Sequence, residues 1–404
     1  MKKYKLSDVC DILVGFPFKS EFFETGNDGI KLVRGMNVSQ NGLRWGDQIR
    51  RWTRLTQELD PYYLAENDVV IAMDGNVGKN MALIRHDDLP LLLVQRVARL
   101  RAKFIPQRFV WLLVNNRTFR LYLDSVKTGT TISHISAKQI GEYEFELPDD
   151  FNFEKGMELV CGLEDKIYFN DKIAINLESQ IRSYFKKRFL DSDSKYSWKL
   201  GNFDDIVCNT LGGDWGKAEP DLKNNTKVYC VRGADIPDLK SGKRGKIPFR
   251  FIPEKNFLKK SLKPGDLIVE ISGGSPTQST GRIAAISDYL LHRYDDGMVC
   301  TNFCRAITPK KGYSFFIYYY WQYLYDIGLF FNYENGTTGI KNFDLNGFLS
   351  QEEIYIPPID ELAEFNEMCL MCQQYIFNSG IENDRLEELR TSMLPRLFLG
   401  DIIC

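Results

Sequence analysis

The chain has 404 residues, enough for two to three domains that each bury a core of their own. Its 52 lysines and arginines almost balance 54 aspartates and glutamates, giving a net charge of −2, so a global positive field is excluded and any basic surface must be local. Nine cysteines without regular spacing, several in apolar surroundings such as Val299-Cys300, argue against a disulfide framework. The start, Met1-Lys2-Lys3-Tyr4, has no apolar run, so a reducing, cytoplasmic location is expected.

In chain order, a first domain is expected over 1–150. It opens with Leu6-Ser7-Asp8-Val9 and continues through Val33-Arg34-Gly35-Met36-Asn37 into a basic loop, where Arg44, Arg50, Arg51 and Arg54 interleave with Trp45 and Trp52. Leu64 then leads to a strand over Asp68–Ala72, ended by the glycine turn Gly75-Asn76-Val77-Gly78 and Lys79. A helix is predicted near 106–124, followed by Gly129-Thr130-Thr131 and a closing Leu147-Pro148.

From 151 to 191 the pattern changes. Proline is absent, and Leu159/Val160, Leu163, Ile167, Ile173, Leu177, Ile181, Tyr184/Phe185 and Phe189 recur at helical spacing among charged residues, which predicts a long helix with one buried seam.

The region 196–358 then repeats the first domain. Leu200-Gly201-Asn202-Phe203 answers Leu6-Ser7-Asp8-Val9, Arg232-Gly233-Ala234-Asp235 answers Arg34 to Asn37, and Asp266 answers Asp68. A basic loop again follows, with Lys240, Lys243, Arg244, Lys246 and Arg250. A glycine turn precedes Thr277, and Gly336-Thr337-Thr338 precedes Lys341 and Ile356-Pro357. The apolar run Tyr313–Phe331 is long enough to span a bilayer. Its counterpart 106–123 is rich in arginine and asparagine, so both are expected to be soluble amphipathic helices. A second long helix is predicted over 359–399, with a seam at Leu362, Phe365, Met368, Met371/Cys372, Tyr375/Ile376, Leu386, Leu389, Met393/Leu394 and Leu397. Gly380 falls inside it and suggests a bend or a frayed turn.

The duplicated unit is thus a domain plus a long helix. Two amphipathic helices of some 36 to 38 residues, about 55 Å each, are each other's economical partner in an antiparallel coiled coil; folding each back onto its own domain is the alternative. The expected fold is α+β: two homologous domains, each a twisted antiparallel sheet with flanking helices, separated by the paired helices with pseudo-two-fold symmetry.

Patterns for chemistry are mostly missing. No Gly-x-x-x-x-Gly-Lys-Ser/Thr phosphate loop occurs. Asp60-Pro61-Tyr62-Tyr63 approaches the Asp/Asn-Pro-Pro-Tyr/Phe signature of amino-methyltransferases but lacks the second proline, and Pro220-Asp221 with Asp238-Leu239-Lys240 imitates a nuclease site only loosely. Three histidines stand far apart, and neither Cys369-x-x-Cys372 nor Cys300-x-x-x-Cys304 has a second pair, so no catalytic or metal-binding residues are assigned. The matched basic loops instead suit phosphate neutralisation and guanine contact, and the Gly-Thr-Thr turns offer hydroxyls and N–H groups.

These motifs in duplicated order, with the ending Leu394-Pro395-Arg396-Leu397-Phe398-Leu399-Gly400-Asp401, resemble the specificity subunits of type I restriction-modification systems. The resemblance implies a non-catalytic reader of double-stranded DNA, each domain taking one half of a split asymmetric site. It implies helices that set the gap and dock two modification (methyltransferase) subunits, with restriction subunits joining them. S-adenosylmethionine, ATP and Mg²⁺ would belong to those partners, with no cofactor in this chain and no membrane. The expected DNA-contacting residues are Arg34, Arg44, Arg50, Arg51, Lys79, Thr130 and Thr131 in the first domain. In the second they are Arg232, Lys243, Arg244, Thr277, Thr337, Thr338 and Lys341. A coiled-coil protein-binding scaffold and a stand-alone DNA-modifying enzyme are the competing expectations.

Overall fold

The computed structural model describes residues 1–40, 42–46, 49–129, 133–149, 151–154, 156–273, 278–336 and 341–399. The chain forms two compact units, Met1–Glu164 with the segment from Glu388 onward, and Asp165–Glu387, and both breaks fall inside the long helices.

The first unit is built on an antiparallel sheet ordered Cys10–Val14, Val97–Ala102, Val69–Ala72, Met81–Leu83. Val69–Ala72 is buried along its whole length, which explains its unbroken apolar sequence. Val69 and Ile71 pack with Phe109, Leu113 and Phe119 of the helices Gln107–Val114 and Arg117–Val126. Val70 and Ala72 pack on the other side with Val33, Leu91 and Leu93. Those residues belong to a small sheet in which Ile30–Val33 pairs with Arg51–Trp52 and, in parallel, with Leu91–Leu93, a parallel pairing that the expected antiparallel sheet did not include. A ribbon of Lys2–Lys5 against Glu144–Leu147 joins the unit's ends.

The second unit has the same plan. Its sheet runs Val207–Gly212, Cys304–Pro309, Leu267–Glu270, Ile283–Ala285; its side sheet again contains a parallel pair, Thr226–Val231 with Met298–Cys300; its ribbon is Lys199–Asn202 against Glu353–Ile356. The ribbons correct one sequence equivalence. The turn after the first strand begins at buried Leu6 in one copy and at buried Phe203 in the other, with Asp8 and Asp205 accepting the N–H of Lys5 and Asn202. Leu200, matched by sequence to Leu6, is an exposed residue of the edge strand; apolar type alone aligned the two. The run at 313–331 is a helix of 13 residues, Ser314–Asp326, followed by a 3₁₀ turn, and no helix among the described residues is long and apolar enough to cross a membrane.

The long helices span Met157–Phe185 and Ala363–Leu399. The first starts later than its periodicity suggested because Phe151 and Phe153 stand outside it, ring against ring with Phe109. Within the second unit the helices pair antiparallel: Tyr184 stacks on Phe365 at 6.1 Å, and fourteen residues earlier Asn170 meets Asn383. Gly380 does not fray the helix, which runs through it without a break. A Cβ there would lie 2.8 Å from the carbonyl carbon of Gly242, so glycine is what lets a loop of the second domain touch the helix backbone.

Candidate nucleic-acid interface

Each small sheet delivers its first strand into an Arg-Gly turn that caps itself. Asn37, fully buried, accepts the Arg34 N–H at 3.2 Å and Nε at 3.3 Å and donates to the Arg44 carbonyl at 3.2 Å. In the second copy Asp235 accepts the Arg232 N–H at 2.9 Å and then both Nε (3.0 Å) and Nη2 (2.7 Å). The fourth residue of the motif is therefore a structural cap in both copies, and the two caps differ in charge. Asn37 is neutral and brings Arg34 no countercharge; Asp235 cancels Arg232 and holds its proton above the ordinary arginine range through that bond. Burial, then the neighbouring Arg50, lowers Arg34, so these two arginines share one small region.

Around Arg34 the first unit assembles positive charge on aromatic faces. Arg34 lies 5.8 Å from the Phe23 ring, Arg54 3.7 Å from Phe22, and Lys31 5.1 Å from Trp45. Arg44 donates to the Met36 carbonyl (2.7 Å), Arg50 to that of Ile49 (2.7 Å), and Arg51 to that of Gly29 (3.0 Å), bonds that orient the side chains.

A second feature brings together the glycine turn and the flanks of the Gly-Thr-Thr. In the first unit the Gly75 N–H donates to the Ser133 carbonyl (2.9 Å), and His134 bridges to both Asp74 and Thr128. The His134 ring meets Asp74 at 2.5 Å, and exposed Lys79 ends this turn. In the second unit Ser272–Gly273 pairs with Lys341–Phe343, which pairs with Glu334–Asn335. The sequence placed these loops more than 50 residues apart; the fold makes them neighbours in both copies. Glu270, buried and paired with Arg282 at 2.6 and 2.8 Å, lies beneath two of the second unit's loops. A Cβ on Gly233 would fall 2.9 Å from its carboxyl carbon and one on Gly273 2.8 Å from Oε1.

The remaining expected residues divide. Lys341 is locked to Glu334 at 2.6 Å, and Glu334 also accepts the Thr280 N–H, so its charge is met locally. Lys243 faces Asp171 of the first long helix at 3.5 Å, away from the Arg232 turn. Arg244 lies 5.8 Å from the Tyr294 ring. Thr130, Thr131, Thr277, Thr337 and Thr338 lie outside the described residues. Arg250, set 4.2 Å over half-exposed Trp215 beside exposed Phe249, was not among the expected contacts; the alternation Phe249-Arg250-Phe251 was its signal.

The near-catalytic motifs have structural duties. Pro61 gives its carbonyl to buried Arg99 (2.8 Å), and Asp221 accepts the N–H groups of Lys223 and Asn224 while pairing with Lys217. Among the described residues no cluster of three His, Cys, Asp or Glu is arranged to hold a metal. A cleft of about 580 Å³ in the second unit lies between the first long helix and the domain, lined by Ile175, Arg182, Lys240, Gln278, Arg282 and Tyr325.

Residues 1–155 match the family model of the type I restriction modification DNA specificity domain. The whole chain superposes on the S subunit of a type I restriction-modification system from M. genitalium with a TM-score of 0.58, covering 98% of this chain and 96% of that one at 15% identity. Residues 1–155 are thus similar to that specificity domain, and the chain shares the fold of an S subunit. It is also similar to the EcoAI specificity subunit of Escherichia coli, 32% identical over 143 residues; that match spans 34% of this chain and 23% of the relative. The second copy, outside the matched family model, carries the specificity-domain plan in its strand order and caps. The self-capping Arg-Gly turn and the joined glycine and Gly-Thr-Thr flanks are thus common to both units.

Proposed function

We propose that this chain is the DNA sequence-specificity subunit of a type I restriction-modification complex. Each domain reads one half of a bipartite, asymmetric double-stranded DNA site, and the paired helices set the interval between halves and dock two methyltransferase subunits. Bond-making belongs to those partners and to restriction subunits, which bring S-adenosylmethionine, ATP and Mg²⁺, and the assembly works in the cytoplasm. The observation that carries this reading is the recurrence, in two domains of one plan, of the same loop pair with different charge chemistry. A shared scaffold with unlike contact groups is what a non-palindromic target requires. Arginines fixed by main-chain carbonyls and stacked on rings are pre-organised for phosphate or guanine O6 and N7. The helices also expose apolar side chains, among them Phe169, Ile175, Leu370 and Met371, which favours partner docking over an isolated rod.

Methylation sequencing of cells that express this chain with a cognate methyltransferase subunit should yield one bipartite motif of two unlike halves. Exchanging residues 1–150 for those of a relative should change one half and leave the other and the interval intact. A change in both halves, or methyl transfer by the purified chain alone, would refute the reading.

A further inference from the structure

We propose that a buried polar circuit centred on Asn170 and Asn383 is the register key of the helix pair. It admits one alignment of the two helices and of the second domain's 240–246 segment against them. The seam of the first helix runs Leu163, Ile167, Asn170, Ala174, Leu177, Ile181, alternating steps of four and three. That of the second runs Leu362, Phe365, Cys369, Cys372, Ile376, Ser379, Asn383, Leu386 in the same alternation. Both are heptad a/d patterns, and both asparagines occupy core positions, Asn170 at 1% exposure and Asn383 at 7%.

Their amides are used in a closed circuit. Asn170 Nδ2 donates to Asn383 Oδ1 at 2.8 Å and to Glu382 Oε2 at 2.7 Å, and Asn383 Nδ2 donates to Asp171 Oδ1 at 3.0 Å. Lys166 closes on Glu382 at 3.4 Å and Lys243, from the second domain, on Asp171 at 3.5 Å. At the same level Gly242 abuts Gly380, and the nearly buried Arg293 pairs with Asp384. A slip of one heptad would set Asn170 against Ile376 and Asn383 against Leu163, or Asn170 against Arg390 and Asn383 against Leu177. None of these neighbours accepts an amide proton from Asn170. An unpaired buried amide is strongly disfavoured, so the polar pair selects the alignment that an apolar seam of equal spacing would leave degenerate. Such a slip moves one helix by about 10.5 Å, roughly three base pairs of DNA. The consequence for DNA rests on the function proposed above; the register key does not.

The test places a photo-crosslinking residue at position 166 and maps its products on the second helix by mass spectrometry. In the otherwise native chain, products near Glu382 should exceed those one heptad away by on the order of tenfold or more. In N170L/N383L, melting at or above the native temperature, the ratio should fall to within about threefold. If that variant does not fold, N170A/N383A is mapped in the same way. A single unshifted product set in a folded variant overturns the register key. In complex with the methyltransferase subunit, the folded variant should also methylate sites with altered intervals. Shifted crosslinks with unchanged intervals would leave the key standing and sink the proposed role of the helices in spacing.

Discussion

Gly380 offers a prediction whose sign, not merely its size, is at stake. Alanine at an exposed helix-interior glycine is stabilising by about 1 kcal/mol, and Gly162 of the first helix is such a site, exposed and with open space within 4 Å of where a Cβ would lie. At 380 the same methyl would meet the carbonyl carbon of Gly242 at 2.8 Å and its oxygen more closely still, about 1 Å inside ordinary contact. The obstacle is backbone, and Gly242 itself has φ +71 and would bring a Cβ against Ile376, so neither partner has a side chain to rotate away. Relieving such overpacking costs about 1–3 kcal/mol, and retreat of the loop also stretches Lys243–Asp171 and Arg293–Asp384. The balance after the propensity gain is a loss of roughly 1–2 kcal/mol for G380A against a gain of up to about 1 for G162A. In thermal unfolding followed by fluorescence, this corresponds to a fall of about 3–6 °C for G380A and a rise of about 2–4 °C for G162A. If G380A raised the melting temperature as G162A does, the close approach of loop and helix would be wrong.

R232A, whose charge Asp235 already cancels, should chiefly lower stability, by roughly 1–2 kcal/mol, and leave the salt dependence of DNA binding little changed. Binding titrations across salt and melting of the free chain check these outcomes. Lys240 is pushed down to about 8, first by burial and then by Arg182, from an ordinary 10.5. The folded chain therefore binds fewer protons than the unfolded one between those values, and stability should rise as pH climbs through that window, by roughly 3 kcal/mol over its whole width. K240M should flatten the rise in urea titrations at pH 7 and 9.5; an unaltered slope would show that another group is responsible. Asp68 accepts two bonds from Arg101 (2.8 and 2.6 Å) and the Ala65 N–H, whereas its counterpart Asp266 accepts the Thr308 hydroxyl and the Lys263 N–H. D68A should accordingly cost about 2–3 kcal/mol and D266A about 1–2, because only the former strands a guanidinium.

Much of the fold was readable because the caps that recur are short-range. Asn37 and Asp235 bond three residues back, Asp68 and Asp266 likewise, so the motif and its physical cause occupy one stretch of sequence. The helix seams were readable up to the point where polar residues enter them. Between Ile376 and Leu386 the apolar pattern falls silent, since Ser379 and Asn383 hold the core positions there, and only their partners on the other helix show that they are buried. Leu200 misled for the opposite reason: an apolar residue on an edge strand carries the same letter as one in a core.

The candidate interface was legible as a set of loops and not as a set of charges. That two basic turns and two Gly-Thr-Thr turns recur in order is a property of the sequence, but whether each cation keeps its charge depends on a carboxylate that folding delivers from elsewhere. Asp171 and Glu334 meet Lys243 and Lys341, while Asp235, three residues along, meets Arg232. The first domain's arginines at 44 and 51 lean on carbonyls instead. Duplication therefore preserved the caps, which any copy needs in order to fold, and let the electrostatics of the two copies part. Under the proposed function this divergence has a direct physical consequence. The first domain should draw more of its affinity from phosphate charge and show the steeper salt dependence, and the second should rely on contacts such as Arg250 and Trp215 that salt weakens less. Two half-sites read by unlike balances of charge and stacking cannot be exchanged for one another, and that is how one duplicated scaffold gives an oriented, asymmetric target.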